Sequence, residues 1–170
     1  MFIFIGIRVM IQFGLVLLCF LPTVAFGNGH GAHVHGQAKL DMAVDQNQLL
    51  VMVQAPAERF FGFEYKPTTE AEKKKAQQAE DLWRNNLTAL FDVSDVSCKV
   101  TKTQWKQEFS SASHSEIKAE GYFDCAKPLR GKELVIKLKD QFERMLIINY
   151  QLIRSDSTAD SGKKEAKTFQ

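Results

Sequence analysis

Two stretches of alternating apolar and polar residues, each carrying one cysteine, constrain the fold of this 170-residue chain most strongly. If a turn centred on residues 111–112 joins them, antiparallel pairing places Cys98 opposite Cys125 and Val100 opposite Phe123. Directly opposed residues have Cα atoms about 4.5–5.5 Å apart, a separation that a disulfide can bridge. The pattern therefore predicts a β-hairpin whose register lets the two cysteines meet.

The first 27 residues differ from the rest of the chain. Arg8 is their only charged residue, a mostly apolar run follows it, and the small residues Ala25 and Gly27 come last. This order is typical of a secretory signal peptide, and the run of about 13 residues is shorter than the roughly 20 that span a membrane. We predict cleavage after Gly27, with Ala25 as second choice. The alternative is an uncleaved anchor, because residues 1–7 are also apolar.

The predicted export of the chain affects the expected state of its cysteines and its net charge. Cys19 leaves with the signal peptide, and the remaining Cys98 and Cys125 are expected to form one disulfide in an oxidising compartment. The alternative is a pair of reduced core thiols. Cleavage leaves 21 basic and 20 acidic residues, a balance that does not suggest a nucleic-acid partner. After cleavage, no membrane association is expected.

The mature chain opens with a second predicted hairpin, followed by a long helix. Period-two alternation on both sides of the polar turn 45–47 predicts strands within 37–55, and Pro56 should end the second strand. A capping-box sequence begins the helix at Thr69, and apolar residues keep helical spacing as far as Phe91. The segment between these two elements is predicted to be a loop rich in aromatic residues.

The cysteine-bearing hairpin and three later elements complete the predicted domain. Trp105 falls out of phase in its strand, which predicts a β-bulge near Lys102. Later elements are a short strand over 133–138, one or two helical turns over 139–144 and a central strand over 146–153. The predicted order, β-β-α-β-β-β-α-β, describes an α+β domain over 37–154 with a mostly antiparallel sheet, one long helix and one short helix. Residues 155–170 are predicted to form a polar disordered tail.

Three of the four histidines lie in the short segment 28–36, at His30, His33 and His35. Neutral imidazole is a common ligand for zinc, copper and nickel. If the first strand extends back to them, His33 and His35 point to the same face with Cα atoms about 6.6 Å apart, so they could share an ion. The alternative is a mobile segment without a specific role, because a tight zinc site needs three or four ligands.

Further donors could complete or replace this site. His114 lies in the serine-rich turn of the second hairpin, either as a ligand or as a surface residue. After cleavage at Gly27, the chain would begin Asn28-Gly29-His30, whose α-amine, amides and imidazole suit a square-planar Cu(II) or Ni(II) ion. Carboxylates that could complete a site are Asp41, Glu64, Glu120 and Asp124.

The sequence lacks the motifs of common enzyme classes. It contains no HExxH, no GxSxG and no glycine-rich phosphate loop. A triad could be written with Ser113, His114 and an aspartate, but nothing singles it out. We therefore expect a protein without catalytic activity. An alternative to metal binding is a partner-binding module that uses the aromatic loop 60–65, whose rings are Phe60, Phe61, Phe63 and Tyr65.

Several motifs resemble one known family, the ZrgA-like zinc-regulated periplasmic proteins. The segment Ala32–Leu40, AHVHGQAKL, is similar to the family's opening signature. Weaker similarities are Ala55-Pro56-Ala57, Gly62-Phe63-Glu64, Pro67-Thr68-Thr69, Phe123-Asp124-Cys125 and the strand around Gln151-Leu152. The resemblance runs from about Ala32 to Ile153, which is nearly all of the mature chain.

This resemblance implies a periplasmic protein of Gram-negative type, made under zinc limitation, that binds zinc and assists the periplasmic component of an ABC zinc transporter. His33 and His35 carry over as signature positions. Family members often have a His/Asp/Glu-rich insert where this chain has the segment 109–115 with one histidine, and commonly a histidine where it has Tyr65. The implied zinc ligands are therefore mainly N-terminal: His33 and His35, with His30 as a third and Glu64 or His114 completing the set.

Overall fold

The computed structural model of this chain describes residues 37–155 and the strand at 160–165. The predicted signal peptide, the segment 28–36 with its three histidines and the proposed amino-terminal Cu(II) or Ni(II) site lie outside the described residues.

The described part is an α+β fold built on one large sheet. Its six strands have the order β4-β5-β2-β1-β7-β8, and a separate two-stranded sheet pairs β3 with β6. The strands are β1 (Gln37–Asp45), β2 (Gln48–Pro56), β3 (Phe91–Val93), β4 (Cys98–Phe109), β5 (Ser115–Cys125), β6 (Leu134–Ile136), β7 (Ile147–Arg154) and β8 (Asp160–Glu165). The helices are α1 (Glu58–Phe61), α2 (Glu70–Asn85) and α3 (Leu138–Gln141), with one 3₁₀ turn at Leu87–Ala89.

The predicted mostly antiparallel sheet is confirmed, with one exception in its connectivity. All neighbouring strands of the large sheet are antiparallel except β1 and β7, which pair in parallel. β7 has β1 on one side and β8 on the other. The final predicted strand is therefore internal to the sheet, as its apolar sequence indicated.

The first predicted hairpin is confirmed. β1 pairs with β2, and Leu40 lies opposite Val53, both fully buried. Side chains of β1 alternate between the core and the opposite face, as expected for a sheet with one buried face. Pro56 is the last residue of β2, as predicted.

The second hairpin confirms the predicted cysteine register. Cys98 pairs with Cys125, the two form a disulfide, and Val100 lies opposite Phe123. The register shifts between Val100 and Lys102, where the bulge was expected. Because of this shift Trp105 faces the core side, and its ring makes an edge contact with Phe60 at a centroid distance of 5.0 Å.

The long helix begins where predicted but ends earlier than its apolar spacing suggested. The Thr69 hydroxyl accepts from the Glu72 N–H while the Glu72 carboxylate accepts from the Thr69 N–H, so the capping box is present. The apolar spacing predicted a helix as far as Phe91, but α2 ends at Asn85. The following apolar residues are buried through a 3₁₀ turn and the short strand β3 instead, because burial at a spacing of three to four residues does not require one continuous helix.

Besides the 3₁₀ turn and β3, two further elements were not expected from the sequence. α1 lies within the predicted aromatic loop, because a single helical turn is too short to show a period. β8 lies within the segment predicted as a disordered tail and pairs antiparallel with β7. This pairing uses backbone groups, so it needs no apolar pattern in the added strand. β6 ends at Ile136, two residues before the predicted end of this strand at Leu138, and Leu138 is instead the first residue of α3.

One face of the large sheet forms the hydrophobic core. Trp83 of α2 is fully buried against it, and its indole Nε1 donates to the carbonyl oxygen of Glu120 on β5 at 3.0 Å. Across the described ranges 37–155 and 160–165, the helices are too short or too polar to cross a membrane.

Candidate metal site

Two predicted metal donors, His114 and Glu64, lie in direct contact although 50 residues separate them in the chain. His114 Nδ1 lies 2.8 Å from Glu64 Oε2. The histidine side chain is 55% exposed, whereas the glutamate side chain is 12% exposed. The pair therefore consists of a nearly buried carboxylate beneath an accessible imidazole.

The turn between β4 and β5 fixes the backbone of His114. Its carbonyl oxygen accepts the N–H of Ser110 at 3.0 Å and the N–H of Ser111 at 3.3 Å. The Ser110 hydroxyl also donates to this oxygen at 3.3 Å. The serine-rich sequence of the turn supplies these hydroxyls, and the imidazole projects from a backbone that several donors hold.

Glu64 is placed by the loop that follows α1. Gly62 ends this helix with φ of 95°, a left-handed conformation that glycine adopts without a steric penalty. The rings of Phe61 and Phe63 then meet at an angle of 56° with centroids 4.7 Å apart, and the rings of Phe63 and Tyr65 stack with centroids 5.1 Å apart. Phe61, Phe63 and Tyr65 therefore form one aromatic stack, and Glu64 lies between Phe63 and Tyr65 in the sequence.

The loop is also tied to the start of α2. The Tyr65 hydroxyl donates to Glu72 Oε1 at 2.7 Å. Hydrogen bonds from the Thr69 backbone, the Tyr65 hydroxyl and the Thr68 backbone lower the pKa of Glu72 to about 2. The same contact raises the pKa of Tyr65, because its proton is held by a carboxylate. The capping box thus anchors the aromatic loop as well as the helix.

The contact between Glu64 and His114 determines which imidazole nitrogen can bind a metal. An ionised carboxylate only accepts hydrogen bonds, so Nδ1 must carry the hydrogen when it bonds to Glu64. The lone pair of the neutral ring then lies on Nε2, which points away from that contact. A carboxylate that holds one nitrogen while the other coordinates is the usual arrangement behind metal-binding histidines.

The sheet brings the beginning of β1 to the same end as His114. Lys39 of β1, Gln54 of β2 and Lys118 of β5 are partners in one row across the three strands. β1 and β5 run in the same direction, so both strands begin at this end, about 10 Å apart at two strand spacings. The chain enters β1 here from the segment that contains His30, His33 and His35, which lies outside the described residues.

The other predicted carboxylates lie elsewhere and have different partners. Asp41 pairs with Lys39 at 2.6 Å, Glu120 accepts from Gln104 at 2.9 Å, and Asp124 accepts from Asn47 at 2.8 Å. Within the described part of the chain, no three His, Cys, Asp or Glu side chains group together in a way that could hold a metal ion. His114 and Glu64 alone therefore make a partial site.

Comparison with known proteins identifies the family. The sequence model of a family described as ZrgA family zinc uptake protein matches residues 32–170. The chain belongs to this family. No curated protein matches the chain.

Membership in the ZrgA family gives the chain a zinc-related role. The aromatic loop gives little support to a partner-binding function, because Phe60 and Phe61 are each only 8% exposed and belong to the core. A groove of about 730 Å³ beside them has three basic and three acidic lining residues, so its lining carries no net charge.

The sequence did not single out Ser115, which supports the site in this ZrgA family protein. Its hydroxyl accepts a hydrogen bond from Gln107 Nε2 at 2.8 Å and donates to the carbonyl oxygen of Glu64. The signal that could have found it is periodicity. Ser115 is in phase with Ile117 and Ala119, which face the core, so a polar residue at this position required a partner.

Proposed function

We propose that this ZrgA family protein is a periplasmic zinc-binding accessory protein that supports zinc uptake under zinc limitation and has no catalytic activity. In this proposal His33, His35 and His114 are the principal ligands, and His30 is available as a fourth. The observation that carries the proposal is the 2.8 Å contact between His114 and Glu64 at the end of the sheet where β1 begins.

Chain connectivity supports the proposed ligand set. His35 lies two positions before Gln37 in the sequence, so their Cα atoms can be at most about 7 Å apart. β5 begins about 10 Å from β1, and an imidazole extends several ångströms from its backbone. Nitrogens from both segments can therefore reach a common ion at the usual zinc–nitrogen distance of about 2.0–2.1 Å.

Glu64 has a different role in this proposal from the one the sequence suggested. The sequence treated Glu64 as a possible zinc ligand, whereas its observed contact supports an orienting role behind His114. A carboxylate on Nδ1 raises the basicity of the ring and directs Nε2 toward the ion. The negative charge also partly offsets the charge of the bound cation.

Export and partnership remain parts of the proposal. The disulfide between Cys98 and Cys125 supports an oxidising compartment such as the periplasm. The family description supports a role in zinc uptake, and delivery to the periplasmic component of an ABC zinc transporter is the partnership that we propose for it. A Cu(II) or Ni(II) ion at Asn28-Gly29-His30 would require cleavage after Gly27, so mass spectrometry of the exported protein tests that possibility directly.

Isothermal titration of the exported form with zinc tests the proposed function. Replacing His33 and His35 by alanine should remove most of the binding, and His114→Ala should weaken it. Glu64→Gln should raise the Kd by about 10–100-fold, as expected for loss of an orienting carboxylate. Glu70→Gln is the matched control, because this exposed carboxylate pairs with Lys73 in α2 and does not contact His114. Unchanged zinc affinity after loss of His33 and His35 would refute the proposal.

A further inference from the structure

Ser115 is the one buried polar residue in the described part of the chain, with 4% of its surface exposed. It is the first residue of β5 and directly follows His114. Its own carbonyl oxygen accepts the N–H of Ala57 at 3.0 Å. Ser115 therefore lies where the hairpin turn, the end of β2 and the aromatic loop meet.

The hydroxyl of Ser115 connects β4 to the loop that carries Glu64. Gln107 Nε2 donates to Ser115 Oγ at 2.8 Å, and this hydroxyl donates to the Glu64 carbonyl oxygen. A hydroxyl has a single hydrogen to donate, and the amide N–H of Gln107 occupies an acceptor position on Oγ. Gln107 thus leaves the hydroxyl hydrogen directed toward Glu64.

We infer that Ser115, supported by Gln107, is a positioning residue that sets the tautomer of His114 through Glu64. The hydroxyl fixes the backbone of Glu64, and that backbone places the carboxylate at His114 Nδ1. Holding the hydrogen on Nδ1 places the lone pair on Nε2, the nitrogen that the proposed function assigns to zinc. The consequence for zinc affinity rests on the proposed function, whereas the effect on the tautomer does not.

Ser113 provides a matched control on the other side of His114. It belongs to the same turn, but its hydroxyl lies 3.4 Å from the Ser111 hydroxyl instead of bonding to the Glu64 loop. Gln104 is the corresponding control for Gln107, because it lies on the same strand and donates to Glu120 rather than to Ser115. Each test variant therefore has a control variant in which a similar side chain is removed and the connection to Glu64 is unchanged.

Nitrogen-15 NMR of the imidazole in the zinc-free exported protein tests the inference. The shifts of the two ring nitrogens identify which of them carries the hydrogen. The wild type, Ser113→Ala and Gln104→Ala should show the hydrogen on Nδ1. Ser115→Ala should show a mixture of both tautomers, and Gln107→Ala should shift in the same direction. If Ser115→Ala does not fold, Gln107→Ala alone decides, since it leaves the buried hydroxyl in place.

Zinc titration of the same variants separates this inference from the proposed function. Ser115→Ala should raise the zinc Kd by about 10-fold, the lower end of the effect of losing an outer-shell partner. A folded Ser115→Ala or Gln107→Ala protein that keeps the hydrogen fully on Nδ1 would overturn the positioning role, whatever its zinc affinity. A wild type that binds no zinc, yet whose tautomer changes on loss of Ser115, would refute the proposed function and leave the positioning role supported.

Discussion

At the scale of single residues, Gly121 shows how closely β5 packs on the core. A Cβ atom added at this position would lie 2.1 Å from Leu87 Cδ2 and 3.1 Å from Val51 Cγ2. Both neighbours are buried, so neither side chain has an easy way to move aside. The 3₁₀ turn that carries Leu87 can therefore approach the sheet only because position 121 has no side chain.

We expect Gly121→Ala to lower the free energy of unfolding by about 1–3 kcal/mol, the usual cost of overpacking a core. Urea denaturation measures this change. The same substitution in a Leu87→Ala background should cost less, because the atom in closest contact is then absent. Equal costs in the two backgrounds would show that contact with Leu87 is not the cause.

At the residue scale, the sequence named candidate donors but could not show which of them are in contact. His114 and Glu64 were both candidates, because imidazoles and carboxylates bind metals. Their contact depends on the left-handed Gly62, the aromatic stack and the hydroxyl of Ser115. These interactions connect segments 50 residues apart, and no local pattern in the sequence encodes such a distance.

At the scale of elements, the start of α2 depends on its capping box. The Thr69 hydroxyl accepts the N–H of Glu72 at 3.3 Å, and an alanine would leave that donor to water. Thr69→Ala should lower the free energy of unfolding by about 1 kcal/mol, a typical loss for this type of cap. Thermal or urea unfolding measures the change. Thr88→Ala, in the 3₁₀ turn beyond the helix, is a control that leaves the cap intact, and an equal loss there would contradict the assignment.

The same capping box predicts how stability depends on acid. Hydrogen bonds from the Thr69 backbone, the Tyr65 hydroxyl and the Thr68 backbone lower the pKa of Glu72 from 4.5 to about 2 in the folded protein. Between these values the unfolded chain binds the proton more readily, so folding becomes less favourable as the pH falls. The stabilisation is complete above about pH 4.5 and is lost as the pH falls through about 2.

We therefore expect Glu72→Gln to make the melting temperature less sensitive to pH between 4.5 and 2. Melting curves at several pH values in this window provide the measurement. Glu70→Gln is the control, because this carboxylate in the same turn contacts Lys73 rather than the free backbone N–H groups. An unchanged pH dependence in Glu72→Gln would show that the capping contacts do not stabilise the charged form.

Elements with a strong local pattern were predictable, and elements defined by pairing were not. The two hairpins, the bulge and the start of α2 follow from alternation, phase and capping, all of which lie within a few neighbouring residues. α1 is a single turn, and β8 joins β7 through backbone hydrogen bonds. Neither arrangement leaves a periodic signal in the sequence.

At the scale of the whole molecule, the sheet separates the disulfide from the candidate metal site. Cys98 begins β4 and Cys125 ends β5, whereas His114 lies in the turn at the other end of this hairpin. β1 runs in the same direction as β5, because both pair antiparallel with β2 between them, so the chain enters β1 at the histidine end. The topology thus places covalent stabilisation at one end of the sheet and the metal donors at the other.

This separation predicts that the disulfide contributes to stability but not to the geometry of the site. The bond closes a loop with a sequence separation of 27 residues, which restricts the unfolded chain by an amount equivalent to about 3.5 kcal/mol at 25 °C in the loop-entropy estimate. The double variant Cys98→Ser, Cys125→Ser should lose stability of this order in urea denaturation. Under conditions where it remains folded, His114 should keep its hydrogen on Nδ1 and zinc affinity should not change. A tautomer mixture in the folded double variant would show that the two ends of the hairpin are coupled, because strain or motion introduced at Cys98 would then reach Glu64 through β4 and Gln107.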